Sequence, residues 1–462
     1  MSYRDLREWI ELVDRLGELR RINGARWEDE IGPITELAQH RENGPAVLFD
    51  AVPGFPKGYR VLANSLGSLR RTALTLGIPQ RDKPLELIQA WREHSKRLKP
   101  IPPVVVKDGP VLENVKRGKE INMLAFPTPK WHEHDGGRYI GTGSVDITED
   151  PEEGWVNLGT YRVMIHDETT LGFYISPGKH GRIQREKLFA AGKPMKVAMS
   201  FGHDPLVFLA GSLDLPYGQS EYDFIGAIKG RPLPVIRGEL TGLPFPADAE
   251  IVVEGTAYPT EKRDEGPFGE WTGYYASSTR PEPILRVERL YYRNNPIILG
   301  SPPGKPPSEL TAYRSVMRAA LIWDELEKAG VPDVRGVWCH PAGGTRLLVI
   351  VSIKQRYPGH AGAYLGRYVI VVDEDIDPTD TYDVLWALCT RSDPEKDIDI
   401  VRRCWSGPLD PIIPKGQKGF NSRALIDACR PYDWKDDFPA VAASRPEVLA
   451  AVEAKWGRLL FG

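Results

Sequence analysis

Near the start of the chain the apolar positions Leu6, Trp9, Val13 and Leu16 recur every three or four residues. That spacing predicts one buried face of a helix. Ser2 and Asp5 form a Ser-x-x-Asp capping signal ahead of it, and Gly17 stops it. A short strand over 19–22, a helix near 34–41 and strand-like apolar runs at 46–49 and 59–63 follow. Helical spacing returns at 69–76 and 85–97, before a proline-rich break, Lys99-Pro-Ile-Pro-Pro. This mixture predicts an α/β or α+β first domain spanning residues 1–103.

From 104 to 305 the pattern changes. Short β-rich runs at 104–106, 139–147, 161–166, 170–175, 195–201, 251–255 and 283–290 recur between turn signals, which predicts a sheet or barrel. A helix over 312–328 opens the last part, 306–462. Strands are expected there at 345–353 and 368–373, with helix-like segments at 361–367 and 382–390. The fold class is therefore multidomain α+β or α/β with a β-rich centre.

Composition removes whole classes of function. The chain has 462 residues, more than a single core of roughly 250–300 residues accommodates. Its 45 glycines and 41 prolines make it rich in turns. With 60 Lys+Arg against 63 Asp+Glu it lacks the basic excess of a nucleic-acid or membrane-surface binder. No apolar stretch approaches the ~18–20 residues of a membrane helix, and the charged N-terminus lacks a signal-peptide core. Four cysteines without a Cys-x-x-Cys pair point to a reducing, cytoplasmic setting.

Candidate chemistry concentrates in the centre. Gly154-Trp-Val-Asn-Leu-Gly-Thr-Tyr-Arg places Asn157 and Arg162 five residues apart in an expected strand. Ser176-Pro-Gly-Lys-His-Gly-Arg puts Lys179 and His180 on an expected glycine-rich turn. The segment Ala210-Gly-Ser-Leu-Asp-Leu-Pro-Tyr-Gly-Gln-Ser ends at Glu221. Glu265-Gly-Pro-Phe-Gly-Glu270 sets two carboxylates around a bend. Both can converge on one guanidinium, such as that of Arg162. Burial can then leave one carboxylate ionised and hold the other as a usable acid. An Asn, a His and a Glu are mixed O and N donors suited to Mn²⁺ or Mg²⁺ bridging a phosphate.

Together these segments resemble the UbiD family of decarboxylases, which use prenylated flavin mononucleotide. The likeness runs from the opening Asp5-Leu-Arg-Glu-Trp-Ile and Gly17-Glu-Leu-Arg-Arg-Ile through Trp131-His-Glu-His-Asp-Gly-Gly-Arg-Tyr-Ile and Trp155-Val-Asn to Arg162. It continues through Ser220-Glu221-Tyr, Glu265 to Glu270, Asp383-Val-Leu-Trp-Ala, Thr390-Arg391 and Ser422-Arg-Ala-Leu-Ile-Asp427. The resemblance implies an N-terminal α/β domain, a central split β-barrel holding the flavin and a C-terminal α/β domain used in oligomerisation. It implies that Asn157, His180 and Glu221 hold the divalent ion. K⁺ would be held at Trp155, Ala210, Gly211 and Leu213, largely through carbonyls, with Glu221 shared. Ser212 would donate to the phosphate and Lys179 would be among the cofactor-binding residues, with relatives often carrying Ser at position 211.

Arg162, Glu265 and Glu270 match the family's Glu–Arg–Glu network. The implied reaction is reversible, non-oxidative decarboxylation of an aromatic, heteroaromatic or α,β-unsaturated acid through a covalent adduct with the flavin. Glu270 donates the proton, Arg162 holds the substrate carboxylate and Glu265 steers Arg162. Implied partners are a small carboxylic acid, further copies of the chain as a dimer or hexamer, and a flavin prenyltransferase supplying the cofactor; no nucleic acid and no membrane. Two other readings are a flavin-dependent reductase and a non-catalytic subunit of a larger complex. Presence of the complete Glu–Arg–Glu set favours the decarboxylase.

Tyr313 and Arg314 are the substrate-pocket candidates, able to meet a second carboxylate or a hydroxyl; His340 and His360 are lesser ones. Other conspicuous residues read as structural. His132, His134 and Asp135 are taken as a loop rather than a metal cluster. Asp373, Asp375 and Asp377 lack the Gly and distal Glu of a calcium loop and read as a solvated strand end. Cys389 and Cys429 read as packing residues.

Overall fold

The computed structural model describes residues 3–213, 215–275, 277–354, 366–405, 410–414 and 419–438. The first helix, Leu6–Arg15, is capped by Asp5 itself, whose carboxylate accepts the Glu8 N–H. The expected cap at Ser2 is thereby displaced three residues along. Leu6, Trp9, Ile10 and Val13 form its buried face. The strand Leu19–Asn23 pairs in parallel with Ala46–Asp50, which pairs antiparallel with Arg60–Ala63. The fourth strand of this sheet is remote in sequence. Ile297–Gly300, buried throughout, joins parallel to Arg60–Ala63.

Ten strands build one antiparallel sheet, curled into a half-barrel. Its longest strand, Arg280–Tyr292, pairs with Asn114–Arg117, Thr170–Gly172, Ile251–Ala257 and Lys262–Glu265. The expected run 139–147 is two strands, Arg138–Gly141 and Val145–Glu149. Gly143 lies at the break, where a Cβ would come within 2.8 Å of the Leu299 carbonyl oxygen. The N-terminal sheet's last strand packs against the chain at this turn.

Three helices stand where only strands and turns were expected: His180–Ala190, Pro205–Gly211 and Glu221–Lys229. Two carry local signals. Asp204 accepts the Leu206 N–H ahead of Pro205, and Gly230 closes the third helix at φ +64°. Their short length and weak periodicity hid them among the strands.

The 20-residue helix Glu309–Lys328 begins with a Ser308–Thr311 capping box. Beyond it, five strands lie in the order Val334–Cys339, Leu348–Ile353, Tyr368–Asp373, Phe420–Ala428, Ile398–Trp405. The first and the last two were not expected from the sequence. The expected strand at 345 starts at Leu348, because Pro341–Gly343 form a tight turn before it. The helix expected over 361–367 and His360 fall outside the described residues, 366–367 excepted. Asp373 and Asp375 are not a solvated strand end: Arg391 donates to Asp373 at 3.1 Å and to Asp375 at 2.9 and 2.8 Å. Cys429 is buried as expected, whereas Cys389 is exposed on the helix Thr381–Arg391. No helix among the described residues is long and apolar enough to cross a membrane.

Candidate active site

Asn157 and Arg162 do not share one strand. The strand Val156–Gly159 ends, residues 160–162 leave the sheet, and Val163–Ile165 resumes it. In a continuous strand, residues five apart face opposite sides. The break lets both line a single cavity of about 740 Å³.

At one end of this cavity, Arg162 joins two carboxylates. Its Nε and Nη2 donate to the two oxygens of Glu265 at 2.9 and 2.7 Å, and its Nη1 donates to Glu270 Oε1 at 2.6 Å. Glu265 ends the strand Lys262–Glu265, and the chain reverses through Gly266, whose φ of +87° suits a residue without a side chain. The Tyr139 hydroxyl donates to Glu265 Oε1 at 3.0 Å, and the Tyr174 ring lies 4.3 Å from the guanidinium carbon. All three charged side chains are nearly excluded from solvent.

One buried cation between two carboxylates cannot neutralise both. Burial pushes Glu270 up to about 7; Arg162 pulls it down and the Glu265 charge pushes it up. Burial works against the Arg162 charge, but its bond and charge pairing with Glu265 outweigh it and hold the guanidinium protonated. The trio is thus a fixed Arg162–Glu265 ion pair beside a Glu270 that keeps a proton near neutrality.

The other end gathers Asn157, His180 and Glu221, all lining the same cavity. The Asn157 amide donates to Thr148 Oγ1 at 3.2 Å. His180 opens the helix His180–Ala190 instead of sitting on a turn, with Lys179 as the preceding cap residue. The Trp155 and Tyr217 rings meet its imidazole edge-on, each with centroids 5.4 Å away. Glu221 opens the helix Glu221–Lys229 and accepts the Leu158 N–H at 2.8 Å. Burial pushes its carboxyl up to about 7, against backbone N–H groups that pull it down; no cationic side chain is among its influences.

The remaining expected ligands are close by. Ser212 Oγ donates to the Leu209 carbonyl at 2.7 Å and lies 2.8 Å from the Tyr313 hydroxyl. Gly211, Ser212, Leu213 and Lys179 line the cavity, while Trp155 and Ala210 lie behind its wall. The carbonyls of Trp155, Ala210 and Gly211 accept the N–H groups of Asp150, Leu213 and Thr160 at 2.9, 3.1 and 3.0 Å. A carbonyl has two lone pairs, so those of Trp155 and Gly211 each keep one beside these bonds, whereas Ala210 also receives the Ser212 N–H. A Cβ on Gly211 would approach Val145 Cγ1 to 2.7 Å, so this chain leaves no room there for a serine.

These features suit a flavin mononucleotide with its ions. The cavity volume falls within the roughly 300–1,000 Å³ of ligand sites. Two helix N-termini open onto it, as phosphate sites do. The buried carboxylate at the Glu221 end is of the kind that a bound cation would stabilise. No three His, Cys, Asp or Glu side chains among the described residues converge on a metal position, so a divalent ion would depend on the mixed Asn157, His180 and Glu221 set.

The substrate-pocket expectation divides. Arg314 lines the cavity, with Nη2 donating to the Ser212 carbonyl at 3.3 Å and Nε buried without a partner. Tyr313 is fully buried behind Ser212, outside the lining. His340 caps the turn Pro341–Gly343 and lies 2.6 Å from Thr381 Oγ1, also outside the lining. The structure adds Trp271, Arg346, Asp410 and Arg423 to the walls. Sequence reasoning missed the last three because they come from the C-terminal part of the chain, Arg423 from the strand Phe420–Ala428 and the other two from outside its strands, and reach the site only through tertiary packing.

Comparison with known proteins gives concordant results. Residues 104–306 match the family model of the Rift-related domain of UbiD, 3-octaprenyl-4-hydroxybenzoate carboxy-lyase. Residues 10–91 match its N-terminal domain and 312–428 its C-terminal domain. The chain is 33% identical to a phenolic acid decarboxylase of Sedimentibacter hydroxybenzoicus, over 93% of this chain and 92% of that protein. It is 32% identical to the pyrrole-2-carboxylic acid decarboxylase of Pseudomonas aeruginosa, over 99% and 98%. Among solved structures, the UbiD-class enzyme HmfF of Pelotomaculum thermopropionicum in complex with FMN superposes with a TM-score of 0.86 at 27% identity, covering 98% of this chain and 100% of that one. An evolved dimeric form of HmfF, in complex with prFMN, gives 0.81 at 26% identity, over 96% and 98%.

Proposed function

The chain belongs to the UbiD family, and from that premise we propose that it is a prenylated-flavin-dependent carboxy-lyase acting on aromatic or heteroaromatic acids. The observation that carries this reading is Arg162 bridging Glu265 and Glu270 at the wall of the cavity, with burial raising the Glu270 carboxyl to about 7. The names of the two relatives, a phenolic acid and a pyrrole-2-carboxylic acid decarboxylase, support the substrate class.

Removing CO₂ from an sp² carbon leaves an in-plane electron pair with no internal sink. The prenylated flavin, when bound, supplies that sink by bonding covalently to the substrate. Everything else falls to the protein. Arg162 uses three of its five N–H groups on the two glutamates and keeps two for the substrate carboxylate. Glu265 fixes the guanidinium plane through two parallel hydrogen bonds. Glu270 delivers its proton to the carbon that has lost CO₂. Tyr174, Phe268 and Trp271 wall the reacting end from water. Arg314 is placed to meet a further polar group on the acid.

At the far end Asn157, His180 and Glu221 would hold Mn²⁺ or Mg²⁺. The carbonyls of Trp155, Ala210, Gly211 and Leu213, with Glu221, would hold K⁺, and Ser212 and Lys179 would meet the phosphate. A reductase has no use for the buried Glu–Arg–Glu trio, which sets that alternative aside. The working assembly is a homo-oligomer built through the C-terminal domain, supplied with cofactor by a flavin prenyltransferase.

The test is expression with and without that prenyltransferase, followed by ¹³C-bicarbonate exchange across a panel of aromatic acids. Exchange is expected only after co-expression. Activity indifferent to the prenyltransferase removes the cofactor from the proposal, and activity confined to aliphatic acids removes the substrate class.

A further inference from the structure

The loop Trp131-His-Glu-His-Asp-Gly-Gly belongs to no metal-ligand cluster among the described residues, yet it contains a buried acid. The Asp135 side chain is sealed from solvent. Its Oδ1 accepts the Gly269 N–H at 3.1 Å, while Oδ2 lies 3.0 Å from the His132 N–H and 3.2 Å from His132 Nδ1. Gly269 immediately precedes Glu270. The neighbouring Gly136 N–H donates to the Pro267 carbonyl at 2.8 Å, and a Cβ on Gly136 would fall 2.1 Å from the Gly266 carbonyl oxygen. The His132 ring covers Gly269 so closely that a Cβ there would meet Nδ1 at 2.9 Å, and it lies edge-on to Phe268 at 6.2 Å.

Every residue of the turn from Gly266 to Gly269 therefore touches this loop. Tyr139, a few residues further on, binds Glu265 itself. By contrast, nothing within the turn fixes Gly269. Its N–H points out of the turn and into the Asp135 carboxylate.

We propose that Asp135 is a positioning residue for Glu270: by accepting the Gly269 N–H it holds the turn shut and keeps the acid inside the cavity beside Arg162. This rests on the reading of Glu270 as the proton donor. It assigns to the loop a role that lies outside the cavity lining.

Asp135→Asn keeps shape but cannot accept on both sides of the carboxyl group, so either the Gly269 N–H or the His132 donors face an NH₂ group. The loosened turn then exposes Glu270 to water. The expected result is kcat about tenfold lower at pH 7, with KM and bound flavin within twofold of wild type, and a pH profile whose falling limb moves down by at least one unit. Independently of any turnover, difference infrared spectroscopy of the protonated carboxyl band, assigned by its loss in E270Q, should show the Glu270 midpoint moving down by the same amount. An unchanged midpoint in folded D135N overturns the proposal. If wild-type protein turns over no acid at all, the function reading fails while the infrared comparison still decides this one. Should D135N not fold, hydrogen exchange of the wild-type Gly269 amide serves instead. Protection of at least 100-fold over unprotected chain is expected, and exchange at the unprotected rate overturns the proposal.

Discussion

The two ends of the cavity are organised differently. At the Arg162 end, opposite charges supplied by the chain compensate one another: Glu265 holds the guanidinium, the guanidinium reaches Glu270, and Tyr139 and Asp135 support the arrangement from behind. At the Glu221 end, the buried carboxylate meets backbone N–H groups and no cationic side chain. The first end is preorganised by the protein alone, as electrostatic catalysis requires. The second is a donor set that, on the proposed function, a bound cation would complete. Reaction geometry and cofactor retention are therefore separable properties of one cavity.

Substitutions can break that separation or sharpen it. Glu270→Gln removes the proton while preserving shape. Turnover should fall on the order of 10²–10⁴-fold, with flavin absorbance and metal content unchanged; normal exchange of ¹³C-bicarbonate by this variant would remove Glu270 as the donor. Glu221→Ala should do the converse. Purified protein should lose its bound flavin and divalent ion, by absorbance and elemental analysis, while Arg162 and the two glutamates stay paired. Retention of both would show that the ends are not separable as described.

Arg162→Lys replaces a planar fork by a single ammonium. Lysine cannot reach both glutamates in parallel fashion, so kcat/KM should fall by about 100-fold, roughly the 2–3 kcal/mol of a charge-assisted bond pair, again with flavin retained. The smallest effect is that of pH on the wild type. As the proposed proton donor Glu270 must be protonated to act, and with its midpoint raised to about 7 the protonated fraction shrinks as pH rises. At saturating substrate the rate at pH 8 should lie about tenfold below that at pH 6. A rate that rises across this interval would mean that the ionised form is the working one.

Much of the fold was legible in the chain. The amphipathic spacing of Leu6, Trp9 and Val13 and the β-rich runs of the centre correspond to real elements, because those patterns are local consequences of helix and strand geometry. The short helices opening at His180 and Glu221 were not legible. Their first residues line the cavity, and their periodicity is too short to stand out. The break at residues 160–162 was missed for a similar reason. It is recognisable only from the fact that Asn157 and Arg162 face one cavity. Asp135 looked like part of a metal cluster or an idle loop, since nothing in its neighbours announces a partner at Gly269, 134 residues away.

Sequence by itself determined which chemical groups exist and in what order: two glutamates around a bend, one arginine, and an Asn, a His and a Glu of mixed donor character. It also determined where helices and strands of ordinary length begin. Only the tertiary structure decided that Arg162 lies within hydrogen-bond reach of residues 103 and 108 positions away, and that Arg314 faces the cavity while Tyr313 turns behind it. It also raised the Glu270 carboxyl to about 7 by burying it. Convergence depends on long-range strand pairing, and proton affinity depends on burial and neighbouring charge. Neither is a property of a short stretch of chain.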